Sequence, residues 1–387
     1  MENETVILIT LVGYKLFLIA IGLWASRKTQ SNADFFLGDR QLGPYVAAVS
    51  YSASACSAWT LLGLSGAAFV IGISVLWLVL GALAGMMIAW VYLAKPVQTA
   101  SREQNLLTLT DLAALDVDGK NRDHLTRSIA FVILFSFVFY IAAQFQGAGT
   151  AFSGAFGLPS TEAILTGALI VMIYTWLGGF WAVSLTDAIQ GTVMLFASAL
   201  LPIATLLELG GFTEFWANYQ QVASPAQLSL TGNAAGLAII GVIIGGLSTG
   251  ISTFGQPHLI IRFMALRDET ARRQATAITA VWYVIVWFGM AFLGLAGALL
   301  EPELANTEQV FFALADSVLP TLIAGLLVAA VISAIMSTAD SQLLVSASVL
   351  SHDLGFGQRY PNRQLMISRI AVAAVVVIST LIALYLP

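Results

Sequence analysis

Long apolar segments recur along almost the whole chain, and each of them contains at most one charged residue. A helix needs about 20 apolar residues to cross ~30 Å of hydrocarbon. Ten spans are predicted, at residues 6–25, 44–72, 74–96, 125–153, 160–182, 187–207, 233–262, 274–300, 318–350 and 364–386. Only 10% of the residues are charged, whereas soluble proteins have about a quarter. The predicted fold class is therefore all-α, in a polytopic membrane protein.

The lysines and arginines lie almost entirely on one side of these spans. All 16 except Lys15 fall in or beside the connections that follow the first, third, seventh and ninth spans. Cytoplasmic loops of membrane proteins carry this excess of positive charge. We therefore predict a multi-pass protein of the cell (inner) membrane with its N-terminus outside. The lipid bilayer is its expected surrounding, and the basic residues form no nucleic-acid patch.

Several kinds of chemistry find no support in the sequence. A single cysteine, Cys56, excludes an internal disulfide, and His124, His258 and His352 show no metal-ligand spacing. The segment 246–250, "GLSTG", matches the G-x-S-x-G pattern of hydrolases, but it lies within a predicted span rather than between a strand and a helix. No phosphate-binding loop is present. We therefore expect neither an enzyme nor an organic cofactor.

Two spans are predicted to be broken helices. The second contains Ser50–Gly66, "SYSASACSAWTLLGLSG", which is rich in hydroxyls and small side chains. The seventh is interrupted by glycines and by Pro257, which weaken a continuous helix. Broken helices in corresponding positions of two five-helix repeats are typical of one class of transporters. The alternative for Ser50–Gly66 is a tight helix–helix contact without a binding role.

Four segments together resemble the sodium/solute symporter family, and within it the bacterial sodium/proline symporters. They are "FFLGDRQLGPYVAAVSYSASACSAWTLLGLSGAAF", "YTWLGGFWAVSLTDAIQG", "FGQPHLIIRFMA" and "ISAIMSTADSQLLVSASVLSHDL". The resemblance implies a LeuT-like inverted-repeat bundle in one transporter domain, 1–387. Residues 1–42 would form an extra N-terminal helix and loop, residues 43–207 the first repeat, and residues 233–387 a second repeat that lacks its last helix. The chain is thus expected to be a fragment or a shortened form.

The resemblance also implies a sodium site between the second and ninth spans. Its ligands would be the carbonyls of Ala53, Cys56 and Ala334 and the hydroxyls of Ser337 and Thr338. The residues agree, because "MSTADS" places two adjacent hydroxyls in an otherwise apolar span, and hard cations prefer oxygen ligands. The alternative is that these hydroxyls only bond back to carbonyls one turn earlier.

Two carboxylates, Asp187 and Asp340, are candidates for a cation path. An ionisable group in a membrane span is costly and suggests function. The position of Asp187 lies along the sodium exit path in the family; alternatively, Asp187 is a solvated cap at the start of the sixth span. Asp340 shares a helix face with Ser337; alternatively, it is the partner of a polar group in the bundle. The proline symporters carry an aspartate where this chain has Ala55, which predicts that Asp340 supplies the negative charge instead.

The solute is expected to bind between the second span, the seventh span and Tyr140. The residues implied are Ser57, Trp59, Tyr140, Gln144, Thr249, Thr253 and Pro257. Two aromatic residues of the family's proline pocket are replaced by Thr249 and Thr253, which predicts a roomier and more polar pocket. Tyr140 and Gln144 are one turn apart and equally suit an interhelical hydrogen bond.

The predicted function is secondary active transport. Sodium moving inward would drive symport of a small organic solute by alternating access, with an amino acid such as proline as the nearest candidate. The sodium ion is the expected coupling ion. Two alternatives stay open: a solute-sensing membrane module of a signalling system, and a non-transporting fragment.

Overall fold

The computed structural model describes residues 13, 16–24, 32–156, 159–357, 359–360 and 363–386. Within these ranges the regular secondary structure is helical, joined by turns and loops, and one isolated β-bridge is present. The first predicted span is helical over 16–24, and the rest of that prediction lies largely outside the described residues.

The α-helices of the described ranges are numbered in chain order. They are α1 (Asn32–Leu37), α2 (Pro44–Ala55), α3 (Leu64–Ile71), α4 (Leu76–Ile88), α5 (Ala94–Glu103), α6 (Leu109–Ala113), α7 (Gly119–Phe156), α8 (Ser160–Glu208), α9 (Phe212–Val222), α10 (Ala238–Leu247), α11 (Pro257–Ala265), α12 (Glu269–Leu300), α13 (Val310–Val318), α14 (Thr321–Ser348) and α15 (Gln364–Tyr385). Short 3₁₀ and π-helical segments join several of them. The connection after the third predicted span contains the short helix α6.

Six helical segments of the described chain are long and apolar enough to cross a membrane, and a bent pair forms a seventh candidate. One of the six, Trp59–Glu103, has 45 residues, and about 1.5 Å per residue would make it ~68 Å long if straight. It is not straight, since Gly72 has φ 64°. The turn at Gly72 falls where the second and third spans were predicted to meet. The count of ten spans stays a prediction.

The boundary predicted between the fifth and sixth spans was wrong. The break in α8 lies at Gly179, which has φ 58° and ψ −156°, rather than at residues 183–186. Glycine accepts this conformation without a Cβ clash. Residues 180–208 are helical, so Asp187 lies inside a helix rather than at its start.

Both predicted broken helices are confirmed. The first helix of the second span, α2, ends at Ala55, and Cys56 is extended. A π-helical turn at Trp59–Gly63 then leads into the second helix, α3. The seventh span runs from α10 through a 3₁₀ segment, Ser248–Phe254, and then bends by 52° into α11. Proline at the first position of α11 has no amide hydrogen to lose there.

Glycines bring the third and seventh spans into backbone contact. Gly81 and Gly85 on α4 face Gly246 and Gly250, and a Cβ on Gly85 or Gly250 would overlap the opposing backbone. Small residues at this spacing allow helices in membranes to approach closely. These glycines hold the unwound seventh span close against α4.

The loops rich in basic residues meet on one side of the molecule. Arg102 Nη2 donates to the carbonyls of Arg40, Leu266 and Arg267 at 3.0, 2.7 and 2.7 Å. The bridge between Leu42 and Leu266 joins the same loops. The connections after the first, third and seventh predicted spans therefore share one face, as the charge pattern requires. Its assignment to the cytoplasm stays a prediction.

Candidate solute and cation sites

The broken end of α2 lies against the middle of α14. Ser337 Oγ donates to the carbonyls of Ala53 at 3.0 Å and Ala334 at 3.2 Å. Thr338 Oγ1 donates to the carbonyls of Ser54 at 3.2 Å and Ala334 at 3.1 Å. All five residues are fully buried. Because α2 ends at Ala55, its last carbonyls lack partners within the helix and point at these hydroxyls.

Four of the five residues in the implied sodium set therefore come together. The exception is Cys56, which is buried at the break, but among the described residues it hydrogen-bonds to neither Ser337 nor Thr338. Thr338 also reaches the carbonyl of Ser54, which was not predicted, and the Cys56 carbonyl stays a prediction. Ser337 and Thr338 do bond back to the Ala334 carbonyl one turn earlier, as the alternative interpretation predicted. Both hydroxyls also hydrogen-bond to carbonyls of α2. A set of neutral oxygens suits a hard cation such as sodium.

A buried charged cluster is centred on Arg262 of α11. It contacts α14 at Ser341, one helical turn after Ser337 and Thr338. Arg262 Nη2 lies 2.8 Å from Asp187 Oδ2, and it donates to Ser54 Oγ at 3.0 Å and Ser341 Oγ at 2.5 Å. Its Nε donates to Ser50 Oγ at 3.1 Å. The exposed fractions of Arg262 and Asp187 are 1% and 0%, so both charges are removed from water. Such a pair is tolerated only when further hydrogen bonds satisfy its members, as here.

This cluster excludes the interpretation of Asp187 as a solvated helix cap. The side chain is fully buried and paired with a guanidinium, so the interpretation as a solvated cap was wrong. Asp340 is also fully buried, and its Oδ1 accepts from Ser341 Oγ at 3.3 Å. Ser341 therefore lies between the two carboxylates and also contacts Arg262. The sequence interpretation missed the role of Arg262 and used it only as one of the basic residues near the seventh loop. The available signal was a single arginine within a predicted span.

Five of the seven predicted solute residues line one cavity. The residues shared by prediction and cavity are Ser57, Trp59, Tyr140, Thr249 and Thr253. Tyr140 and Ser57 lie together in this wall. The cavity has about 170 Å³, close to the roughly 150 Å³ that accepts a benzene ring in an engineered protein. One small ring-shaped solute matches this volume. Ala55 also lies in the wall.

The chemistry of the wall is uncharged. Among the described residues, no Asp, Glu, Lys, Arg or His lines the cavity. The hydroxyls of Thr249 and Thr253 each donate at 2.7 Å to backbone carbonyls of their own segment, so they face a solute as acceptors. The ring of Trp287 lies in the wall, and its Nε1 is buried without a hydrogen-bond partner in the described part of the chain. A neutral or zwitterionic molecule fits this arrangement.

Two predicted solute residues lie elsewhere. Gln144 is buried and its Oε1 has no partner among the described residues, but it does not line the cavity. Pro257 lines a separate small cavity beside Asp353. The sequence interpretation missed Tyr283 and Trp287 of α12, whose rings stack at 6.3 Å in the wall. Their spacing of four residues on one helix was the available signal.

Comparison with known proteins agrees with this architecture. The profile of the sodium:solute symporter family matches residues 35–386. The chain belongs to this family. Sodium/proline symporters of Salmonella typhimurium and Escherichia coli are 34% and 35% identical to it. The alignments cover 99% and 92% of this chain and 78% and 71% of those proteins. The chain is therefore a membrane transporter rather than an enzyme.

Solved structures show the fold. A sodium-coupled sialic acid symporter in a substrate-bound, outward-open state has a TM-score of 0.82 and 19% identity, and the match covers 98% of this chain and 82% of that one. A nucleobase-cation-symport-1 family transporter has a TM-score of 0.59 and 17% identity, over 92% and 74%. At these identities the likeness shows only the shared LeuT-like fold.

Proposed function

We propose that this chain couples inward sodium movement to the uptake of a small neutral or zwitterionic solute, with proline as the nearest named candidate. The observation that carries the proposal is the juxtaposition of an uncharged, ring-sized cavity and an oxygen-only cluster at the same break in the second span. The relatives named above are sodium/proline symporters. A membrane potential supplies about 2.3 kcal/mol per charge per 100 mV, which is enough to concentrate such a solute.

In this proposal sodium is held by the carbonyls of Ala53 and Ala334 and the hydroxyls of Ser337 and Thr338, with the carbonyl of Ser54 beside them. On binding, each hydroxyl turns its hydrogen away and offers a lone pair to the ion. The ion then joins α2 to α14. Since α2 also forms the wall of the solute cavity, sodium and solute each favour the arrangement that the other needs.

Solute recognition is proposed to use opposite ends of the cavity. The hydroxyls of Thr249 and Thr253 and the ring of Trp59 receive the ammonium end, because they present lone pairs and a π face. Trp287 Nε1 donates to the carboxylate end. Tyr140 and Ser57 close the side of the cavity nearest the sodium set. The proposal assigns no direct solute contact to Gln144 or Pro257.

Sodium is proposed to leave past Asp187 and Asp340. A lone buried carboxylate would hold the ion strongly, whereas Arg262 already balances part of this charge. Sodium passing Asp187 therefore competes with the guanidinium rather than meeting an uncompensated anion. The buried amide of Gln190, one turn from Asp187, has no partner among the described residues and can solvate the ion on this route. The cation path keeps the negative charge near the ion without trapping it.

Proteoliposomes carrying the purified chain test the proposal. Labelled proline should accumulate with an inward sodium gradient and should not accumulate with potassium in its place. Trp287→Phe, which keeps the ring and removes the donor, should lower uptake at low solute concentration. Sodium-dependent binding of proline without accumulation would support the sensing module instead. If proline neither binds nor accumulates, proline is wrong, and a thermal-shift screen of amino acids, sugars and carboxylates with and without sodium then identifies the solute class.

A further inference from the structure

A separate polar cluster lies beyond the C-terminal end of α14. It joins the segment around α6 to the π-helical turn Val349–Asp353. His352 Nε2 lies 3.0 Å from Asp111 Oδ2, and Thr108 Oγ1 donates to Asp353 Oδ1 at 2.8 Å. The two segments are more than 200 residues apart, so only the fold brings them together. The cluster shares no residue with the solute cavity or with the Arg262 cluster.

The three ionisable side chains have the geometry of a chelating set. Asp111, His352 and Asp353 each offer one ligand atom, and these atoms lie within 4.8 Å of one another. An ion with bonds of about 2.0–2.2 Å to nitrogen and oxygen keeps neighbouring ligands roughly 3 to 3.5 Å apart. The observed separation of His352 from Asp111 already has this value. Little movement is needed to centre an ion between them.

Two polar atoms of the cluster are unsatisfied in the described structure. Thr110 is 1% exposed, and its Oγ1 has no hydrogen-bond partner among the described residues. Asp353 Oδ2 is likewise buried without one. Thr108, Thr110 and Asp353 line a small cavity that meets the chelating set at Asp353. Buried polar atoms normally have a partner, and an ion bound by Asp353 would supply one for its second oxygen.

We propose that Asp111, His352 and Asp353 bind a divalent transition-metal ion, with Zn²⁺ as the first candidate and Mn²⁺ as the second. Two carboxylates balance the two positive charges of the ion. The imidazole favours zinc or manganese over Mg²⁺ and Ca²⁺, which prefer sets made only of oxygen ligands. The hydroxyls of Thr108 and Thr110 and water complete the coordination.

The position of the site gives the ion a consequence for transport. The cavity is also bordered by Pro257 and Ile261 of α11, the helix that carries Arg262. A bound ion therefore ties the α6 segment to the end of α14, directly beside the lower half of the broken seventh span. Alternating access needs that half-helix to move relative to α14. The metal should accordingly stabilise the protein and slow transport.

Thermal unfolding of the purified full chain, stripped with a chelator, tests metal binding without relying on transport. Micromolar Zn²⁺ should raise the Tm saturably, and Mg²⁺ at the same concentration should not. Asp353→Asn keeps the acceptor for Thr108 and removes the charge. It should therefore raise the zinc concentration at the midpoint of the Tm increase more than tenfold. His352→Gln should do the same.

His124→Gln is the matched control, because His124 is exposed on α7 and lies outside the cluster. It should respond to zinc as the parent does. If His352→Gln does not fold, Asp353→Asn alone decides. Absence of a zinc-dependent rise in the parent overturns the proposal, and so does an equal zinc midpoint in the parent and in Asp353→Asn. Neither result bears on sodium-coupled transport, which is measured separately.

Discussion

The solute cavity and the Arg262 cluster both contact the second span, but the cavity is uncharged and the cluster holds buried charges. The cavity has an uncharged wall and a donor and acceptors that are open to a solute. The cluster is buried, and Arg262 balances part of its negative charge. A site that must bind and release a small zwitterion gains from weak, neutral contacts. A route for a cation through a low-dielectric interior needs negative charge that is partly balanced at all times.

This contrast separates stability from function in the two regions. Disturbing the cluster leaves a buried charge without its partner, so folding should suffer first. Disturbing the cavity removes contacts that matter only when a solute is present. The four substitutions below run from the largest expected effect to the smallest.

Asp187→Asn should be the most destructive change. It leaves Arg262 buried without its anion, which costs about 3–5 kcal/mol of stability. Ser57→Ala in the cavity should cost only about 1 kcal/mol, the worth of an ordinary hydrogen bond. Chemical unfolding in detergent compares the two. Equal losses would remove the distinction between a charged and an uncharged region, and recovery in Asp187→Asn with Arg262→Gln would sharpen it.

Asp340→Asn should act on sodium rather than on the solute. The change keeps the shape of the side chain and the acceptor for Ser341, so the protein should fold. We expect the apparent sodium affinity to fall about tenfold, or ~1.4 kcal/mol, while solute binding at saturating sodium changes little. Sodium-titrated uptake in proteoliposomes measures both. A sodium titration like that of the parent would make Asp340 structural.

Trp287→Phe should do the reverse. It removes one donor and keeps an aromatic ring in the wall, so the solute KM should rise about fivefold, as loss of ~1 kcal/mol implies. The sodium midpoint at saturating solute should stay within twofold. A shift of both midpoints together would show that the cavity and the sodium set are not separable through this residue.

Thr249→Val should have the smallest effect. Its hydroxyl donates to a carbonyl of its own segment, and valine preserves the volume. We expect a rise in KM of threefold or less, from the loss of one acceptor. A loss of tenfold or more would identify this hydroxyl as a principal solute ligand and would revise the division of roles within the cavity.

The sequence predicted those features that depend on local composition. The breaks in the second and seventh spans follow from hydroxyls, glycines and Pro257, and the shared face of the basic loops follows from charge. The contact between Ser337 and Ala53 was expected only through the family resemblance. The fifth–sixth break was misplaced at residues 183–186, whereas the helix breaks at Gly179, the kind of residue that accepts a positive φ.

The rest required the fold. Arg262 and Asp187 are 75 residues apart, and Asp111 and His352 are 241 apart. No spacing rule joins such pairs. The contact of Thr338 with the Ser54 carbonyl depends on the pitch at the end of α2, which sequence does not specify. The lack of a hydrogen-bond partner for Trp287 Nε1 among the described residues could not be predicted either, because it depends on how the neighbouring helices pack around it.

The most direct test of the account is the sodium dependence of stability in Ser337→Ala with Thr338→Ala. Both hydroxyls hold carbonyls of α2 and α14, and both are proposed to bind the ion. In the parent, sodium at ten times its Kd should add about 1.4 kcal/mol to the free energy of unfolding by mass action. The account predicts that the double variant folds and loses this increment, while potassium affects neither protein. An undiminished sodium increment in the double variant would contradict the placement of the sodium site between α2 and α14.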